Sequence, residues 1–171
     1  MNFLLPPLRP PGALPEKSFS KLCVHCGQCV TSCPYHSIYL KGGFGKDRLT
    51  PVIDPQAIPC YLCLKCQAAC PTGALDAKIT ELEQVHMGQA YIGTDRCHNY
   101  VTGIMCMTCY DRCPLRGKAV ILDLGLNPAM TTQCVGCGIC AYVCPVDAIT
   151  IVPESSQLVP PLSADLKTVK S

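Results

Sequence analysis

The chain has 171 residues, which is enough for one domain or two very small ones. It has no tryptophan and only three phenylalanines but sixteen cysteines, so its large apolar side chains alone would build a thin core. The formal net charge is +2 and the cations are scattered, which excludes the basic patch of a nucleic-acid-binding protein. No apolar run approaches the ~20 residues that span a bilayer.

The first eighteen residues are rich in proline and carry two cations, Arg9 and Lys17. They contain neither a continuous apolar stretch nor a twin-arginine pair, so they are unlike a secretion signal. We therefore expect residues 1–18 to form an extended arm and the chain to be cytoplasmic. Because such an arm has no core to join, we expect it to lie on a partner protein. Residues 152–171, which include three prolines, predict a second arm of the same kind.

The body, residues 19–151, holds four runs of four cysteines, and each run ends in Cys-Pro. Runs one, two and four have the spacing C-x2-C-x2-C-x3-C-P, whereas run three has eight residues between its first two cysteines. The runs are Cys23, Cys26, Cys29, Cys33; Cys60, Cys63, Cys66, Cys70; Cys97, Cys106, Cys109, Cys113; and Cys134, Cys137, Cys140, Cys144. Two-cluster bacterial ferredoxins use this spacing. The sequence therefore predicts four [4Fe–4S] clusters with these sixteen cysteines as ligands, and no catalytic residue.

The spacing follows from cubane chemistry. The first three cysteines of a run wrap one face of a cluster, and the fourth reaches the cluster of a partner run. A zinc ribbon instead uses two C-x2-C pairs separated by a longer loop, and a disulfide scaffold belongs to secreted chains. The runs therefore work in pairs, and the spacing leaves two pairings open. Adjacent pairing joins one with two and three with four; nested pairing joins one with four and two with three.

Short apolar segments recur around the runs and predict an α+β fold of small β ribbons and short helices. Each run should be followed by a helical turn after its Cys-Pro. Strands are expected after the runs at 37–40, 73–76, 118–121 and 148–151, and return strands at 50–54, 90–94 and 122–126. A turn at 42–45 and a helical turn within 80–87 complete the pattern.

Two segments carry a family resemblance. They are the stretch Leu8-Arg9-Pro10-Pro11-Gly12-Ala13-Leu14 with run one, and run three with its long first gap. They resemble the ferredoxin-type proteins of periplasmic nitrate reductase and methylamine dehydrogenase systems, the NapG/MauM type. The resemblance implies two bacterial-type 2[4Fe–4S] ferredoxin modules with extended termini, and electron transfer rather than catalysis. The compact second run and the missing twin-arginine signal are closer to signal-less relatives, such as the polyferredoxin subunit of multisubunit tungsten aldehyde oxidoreductases.

The resemblance also implies partners. A relay subunit of that type works between a large tungsto- or molybdopterin subunit and a flavin subunit that reacts with NAD. The alternatives are a NapG-type electron-transfer protein of a nitrate reductase system, a free soluble ferredoxin, and a structural or assembly protein. Self-association of two copies would join their clusters into a longer relay.

Nested pairing of the runs is a further implication of the resemblance. It would place Cys144 in one site with Cys23, Cys26 and Cys29. The other nested sets are Cys33 with Cys134, Cys137 and Cys140; Cys113 with Cys60, Cys63 and Cys66; and Cys70 with Cys97, Cys106 and Cys109.

Overall fold

The structure, a computed structural model, describes residues 6–42 and 48–156. The helices are α1 (Glu16–Leu22), α2 (Gln28–Thr31), α3 (Lys65–Ala68), α4 (His98–Val101), α5 (Thr108–Asp111) and α6 (Ile139–Tyr142), with a 3-10 turn at Leu82–Gln84. The strands are β1 (Ile38–Leu40), β2 (Pro51–Ile53), β3 (Gly88–Ile92), β4 (Val120–Leu122), β5 (Pro128–Met130) and β6 (Ile149–Pro153). The fold is therefore α+β, with short elements around a core that includes many cysteines. Most of the turn predicted at 42–45, and the second arm from residue 157, lie outside the described residues.

The strands form antiparallel two-stranded ribbons. β1 pairs with β2 between runs one and two, and β4 pairs with β5 between runs three and four. The third ribbon joins distant parts of the chain, because β3 precedes run three and β6 follows run four. Its counterpart around runs one and two is a single bridge between Ala13 and Leu75. The described chain therefore closes on itself twice, once around each pair of adjacent runs.

These closures define two modules, the first over residues 8–76 and the second over residues 88–153. In the first module α2 packs on α3, and in the second α5 packs on α6. Each of these helices carries the third cysteine of its run, and each ends before the fourth. Adjacent runs therefore face each other inside one module.

The prediction of a helical turn after each Cys-Pro is wrong. In three runs the fourth cysteine begins a turn instead, and its carbonyl accepts a hydrogen bond from the N–H three residues on. The pairs are Cys33 with His36 at 3.2 Å, Cys113 with Arg116 at 3.2 Å, and Cys144 with Asp147 at 3.4 Å. Proline has the φ that the second position of such a turn requires, so Cys-Pro favours the turn.

Most predicted strands lie where the sequence places them, and two do not. The segment predicted as a return strand at 122–126 is mainly a turn, and the strand begins at Pro128. The carboxylate of Asp123 causes this shift, because it accepts hydrogen bonds of 2.8 Å from the N–H groups of Gly125 and Asn127. Side chains of this type compete with strand pairing by capping local turns. In the segment 73–76, only the bridge at Leu75 forms.

The described part of the N-terminal arm lies on the first module, so the expectation that it has no core to join is wrong. Pro10 and Pro11 are fully buried, and Leu8 pairs with Ile53 at the edge of the first ribbon. Proline has no N–H, so its burial leaves no unpaired donor. The extended segment ends at Pro15, where α1 begins. At the other end, Val152 and Pro153 are buried in β6, so the predicted second arm starts inside a strand.

The two modules meet at runs two and four. The N–H of Cys60 donates to the carbonyl oxygen of Cys137 at 2.9 Å. Beside this bond, Gly138 has φ +87° and lies so close to Pro55 that a Cβ at position 138 would collide with the proline ring. The close approach of the two modules therefore requires glycine at this position.

Replacing Gly138 by Ala should destabilise the protein more than replacing Gly27 by Ala. Both glycines precede a short helix with positive φ, so each substitution carries a backbone strain of about 1–2 kcal/mol. Gly27 has no atom near its Cβ position, whereas Gly138 meets Pro55, which adds about 1–3 kcal/mol of overpacking. Denaturant unfolding of both holo-proteins measures the difference. Equal losses of stability would mean that this contact between the modules is unimportant.

Candidate metal centres

Four cavities are each lined by four cysteines, and we number them by the run that supplies three of the four. Site 1 is Cys23, Cys26, Cys29, Cys70; site 2 is Cys33, Cys60, Cys63, Cys66; site 3 is Cys97, Cys106, Cys109, Cys144; and site 4 is Cys113, Cys134, Cys137, Cys140. The empty space in each, including space open to solvent, lies between about 290 and 370 Å³. Every one of the sixteen predicted ligands lies in one of these sites, and the similar sizes suit four copies of one group.

Each site takes its fourth cysteine from the other run of the same module, so the nested pairing is wrong. Cys144 lines site 3 with the cysteines of run three rather than a site with Cys23. Cys70 lines site 1 and Cys33 lines site 2, while Cys113 lines site 4. The cause is the strand pairing, because β3–β6 and the bridge between Ala13 and Leu75 hold adjacent runs together.

The donor sets fit cubane clusters. Within residues 6–42 and 48–156, no three His, Cys, Asp or Glu side chains stand close enough together to bind a single metal ion. The four thiols of each site surround a space instead, as a cubane requires, because each thiolate binds a different iron. Apolar side chains fill the walls between the cysteines, such as Phe19 in site 1, Ile38 in site 2 and Ile92 in site 3. Such walls limit the access of water to a bound cluster.

The compact loops owe their curvature to left-handed backbone conformations on both sides of the second cysteine. In run two these residues are Leu62, with φ 54°, and Leu64, with φ 58°. Runs one and four repeat the pattern with His25 and Gly27, and with Gly136 and Gly138. The left-handed conformation is unfavourable for residues with a Cβ, so His25, Leu62 and Leu64 are strained positions that the surrounding packing must hold. The glycines of run four adopt it without this strain.

Run three uses a different device, which the sequence analysis missed. Its long first gap contains α4, and the side-chain oxygen of Asn99 accepts a hydrogen bond of 2.9 Å from the N–H of Cys106. The amide nitrogen of Asn99 and the hydroxyl of Tyr100 donate to carbonyls of the β4–β5 hairpin at 3.2 and 3.1 Å. Hydrogen bonds of the Asn99 and Tyr100 side chains therefore hold the long loop in a defined conformation. An asparagine inside a ligand loop is the signal that could have indicated this.

Burial dominates the acid–base behaviour of the inner cysteines. Burial raises the pKa of the Cys60 and Cys66 thiols to about 12, and that of Cys29 and Cys109 to about 11. Thiols with such pKa values are neutral near pH 7, so assembly of a metal centre must displace their protons. Cys70 differs. Its burial raises the pKa of the thiol, but hydrogen bonds to the sulfur lower the pKa by more, and the bond from the N–H of Leu75 contributes most to this lowering.

Comparison with known proteins indicates iron–sulfur binding. Residues 22–74 match a family model described as a 4Fe-4S dicluster domain, and residues 130–150 match a 4Fe-4S binding domain. The methylamine utilization ferredoxin-type protein MauM of Paracoccus denitrificans is 39% identical over 86% of this chain and 71% of its own length. This chain belongs to the MauM/NapG family of ferredoxin-type proteins. The first family match spans runs one and two together, as the first module does.

Other members of the MauM/NapG family show the same extent of similarity. The ferredoxin-type protein NapG of Escherichia coli is 37% identical over 86% of this chain and 71% of its own length. A chain of a solved formate dehydrogenase–heterodisulfide reductase–formylmethanofuran dehydrogenase complex from Methanospirillum hungatei matches 77% of this chain and 52% of that one. Its identity of 24% and TM-score of 0.29 are too low for a comparison of folds.

The similarity to MauM and NapG, together with the family-model matches, shows that the chain is an iron–sulfur, ferredoxin-type electron-transfer protein, as the sequence predicts.

No helix in the described part of the chain is long and apolar enough to cross a lipid bilayer.

The assignment of fourth cysteines can be tested by pairs of substitutions. Cys144→Ala with Cys106→Ala removes two ligands of site 3, whereas Cys144→Ala with Cys26→Ala removes one ligand from each of two sites. If each loss empties its site, the first pair should retain about twelve iron atoms per chain and the second about eight. Iron assays on anaerobically purified protein measure both. The reverse order of iron contents would support a site shared by Cys144 and Cys26, and would contradict this assignment.

Proposed function

We propose that each of the four sites binds one [4Fe–4S] cluster and that the chain relays electrons between redox partners. The observation that carries the proposal is the set of four cavities, each lined by three cysteines of one run and one of its neighbour. A [4Fe–4S] cluster accepts and returns one electron at a time. The residues of the chain hold the clusters in place and limit the access of water to them.

The contacts between modules support a definite order of sites. Sites 1 and 2 share the first module, and sites 3 and 4 share the second. The hydrogen bond from Cys60 of site 2 to Cys137 of site 4 connects the two modules directly. The pKa of the Cys60 thiol, raised mainly by burial, is raised further by Cys137, as expected for neighbouring thiols. The proposed row is therefore site 1, site 2, site 4, site 3, with sites 1 and 3 at its ends.

The surface near both ends supports electron exchange with other proteins. Val24, which lines site 1, is 61% exposed. In the long loop of site 3, Val101, Ile104 and Met105 are 57–61% exposed. Exposed apolar residues that lie together commonly mark protein–protein contacts. We call Val101, Ile104 and Met105 the run-three patch.

For the partners we propose a complex of the tungsten aldehyde oxidoreductase type. The chain would connect a large pterin-containing catalytic subunit to a flavoprotein that reacts with NAD. The proposal rests on the family resemblance and on the presence of two candidate ends in the row. A NapG-type role in a nitrate reductase system is the alternative, and the similarity to NapG favours it. A cytoplasmic location and self-association into a longer relay remain predictions from the sequence, which cell fractionation and light scattering of the purified protein can test.

The proposed sites predict the metal content of the protein. Anaerobically purified chain should contain about sixteen iron and about sixteen acid-labile sulfide atoms, four of each per site. About twelve of each would mean that one of the four sites holds no cluster. Zinc in place of iron and sulfide would contradict the cluster proposal.

Association with a partner should depend on the run-three patch. Replacing Ile104 and Met105 by Glu introduces charge into an exposed apolar surface, so the amount of any redox protein that co-purifies should fall. Leu49→Glu is the matched control, because Leu49 is also exposed, at 43%, and lies in the first module. Quantitative pull-down under anaerobic conditions, with iron content measured in parallel, gives the comparison. Undiminished co-purification of the double variant would show that partners bind elsewhere.

A further inference from the structure

Arg9 is the only buried charged side chain among the residues that the structure describes. It is 6% exposed and lies in the N-terminal segment that packs on the first module. A buried charge is unfavourable unless other groups pair with it. The partners of Arg9 therefore indicate what its charge does.

The guanidinium has several partners at once. It forms a two-pronged ion pair with the carboxylate of Glu16 at 3.1 and 2.6 Å. Another of its nitrogens donates to the hydroxyl of Thr50 at 2.7 Å and to the carbonyl oxygen of Pro51 at 3.1 Å. The guanidinium carbon also lies 4.7 Å from the ring centroid of Phe19, a cation–π contact. These contacts fix the position of the positive charge.

That position is one residue away from site 1. Phe19 and Pro51, both in contact with Arg9, line the cavity of site 1. Phe19 is fully buried, so little water separates the guanidinium from the cavity. Charges interact more strongly across the apolar interior of a protein than across water. Arg9 is therefore placed to act on the charge of whatever site 1 holds.

Glu16 reduces this effect but does not remove it. The side chain of Glu16 is 25% exposed, against 7% for Arg9. Water screens the more exposed carboxylate better than the buried guanidinium. Within this pair, the positive charge is therefore the less screened of the two.

Among the described residues, no other charged side chain is buried. Lys65, Arg96 and Arg112 lie beside ligand cysteines of the other sites, but all three are exposed, so water screens their charges. The ion pair between Lys118 and Glu83, at 2.9 Å, lies at the surface with both side chains about half exposed. The electrostatic environment of site 1 is thus different from that of its three counterparts.

We propose that Arg9 raises the reduction potential of the cluster in site 1, so that this end of the row holds an electron more readily than it would without the arginine. The inference rests on the proposed function, because it requires a cluster in site 1. Reduction adds one electron and one negative charge to a cluster, and a nearby buried cation favours the more negative state. Arg9 is not a ligand and acts through its charge alone.

Two substitutions of opposite sign test the proposal in the full-length protein. Arg9→Met removes the positive charge and should lower one of the four midpoint potentials. Glu16→Gln removes the carboxylate that forms the two-pronged pair with the guanidinium and should raise the same one. Arg9→Lys keeps the charge and should bring the potential back towards the wild-type value. The measurement is a redox titration with dithionite as the one-electron donor, followed by EPR.

Controls separate tuning from folding. The affected component should be the one missing from Cys26→Ala, which lacks a ligand of site 1. Glu83→Gln makes the same chemical change in the exposed pair with Lys118 and should shift no potential. If Arg9→Met loses iron, Glu16→Gln still decides the question. Full iron content with unshifted potentials in Glu16→Gln, or equal shifts of all four potentials, would overturn the role of Arg9. Wild-type iron far below sixteen would instead contradict the cluster proposal itself.

Discussion

A run of cysteines with this spacing supplies three thiols to its own site and sends the fourth elsewhere, and the rest of the fold depends on where that fourth cysteine goes. Here it goes to the adjacent run. The antiparallel ribbon of β3 with β6, and the bridge between Ala13 and Leu75, bring the two runs of each module together. Among the described residues, the two closed modules then meet where the N–H of Cys60 donates to the carbonyl oxygen of Cys137 and Gly138 lies against Pro55. The order of the sites therefore differs from the order of the runs in the sequence.

The same cysteines that line the sites also form much of the core. The chain has no tryptophan and few phenylalanines, and seven of its cysteines are buried together with smaller apolar side chains. The N-terminal segment completes the first module by covering it with Leu8, Pro10 and Pro11. Folding and metal binding should consequently be coupled, because neither the core nor the sites are complete without the other. The segment also brings in Arg9, so one stretch of chain provides both packing and charge.

The grouping of the cysteines into four sets could be predicted from the sequence because their spacing is local, and each of the sixteen lines one of the four cavities. The pairing of runs could not, since it depends on contacts between β3 and β6 that are distant in the sequence, and the family resemblance indicated the other arrangement. The N-terminal segment misled for a similar reason. Its prolines suggest a free arm, but the contacts that bury Arg9 involve Thr50, forty-one residues away. The turn at Asp123 depends on one side chain that strand patterning does not consider.

The most direct test of the account is an anomalous difference map at the iron edge, from crystals of anaerobically purified protein. Four iron clusters are expected in the order site 1, site 2, site 4, site 3. The cluster held by Cys23, Cys26 and Cys29 should have Cys70 as its fourth ligand. An iron cluster shared by those three cysteines and Cys144 would contradict the pairing on which the proposed relay rests.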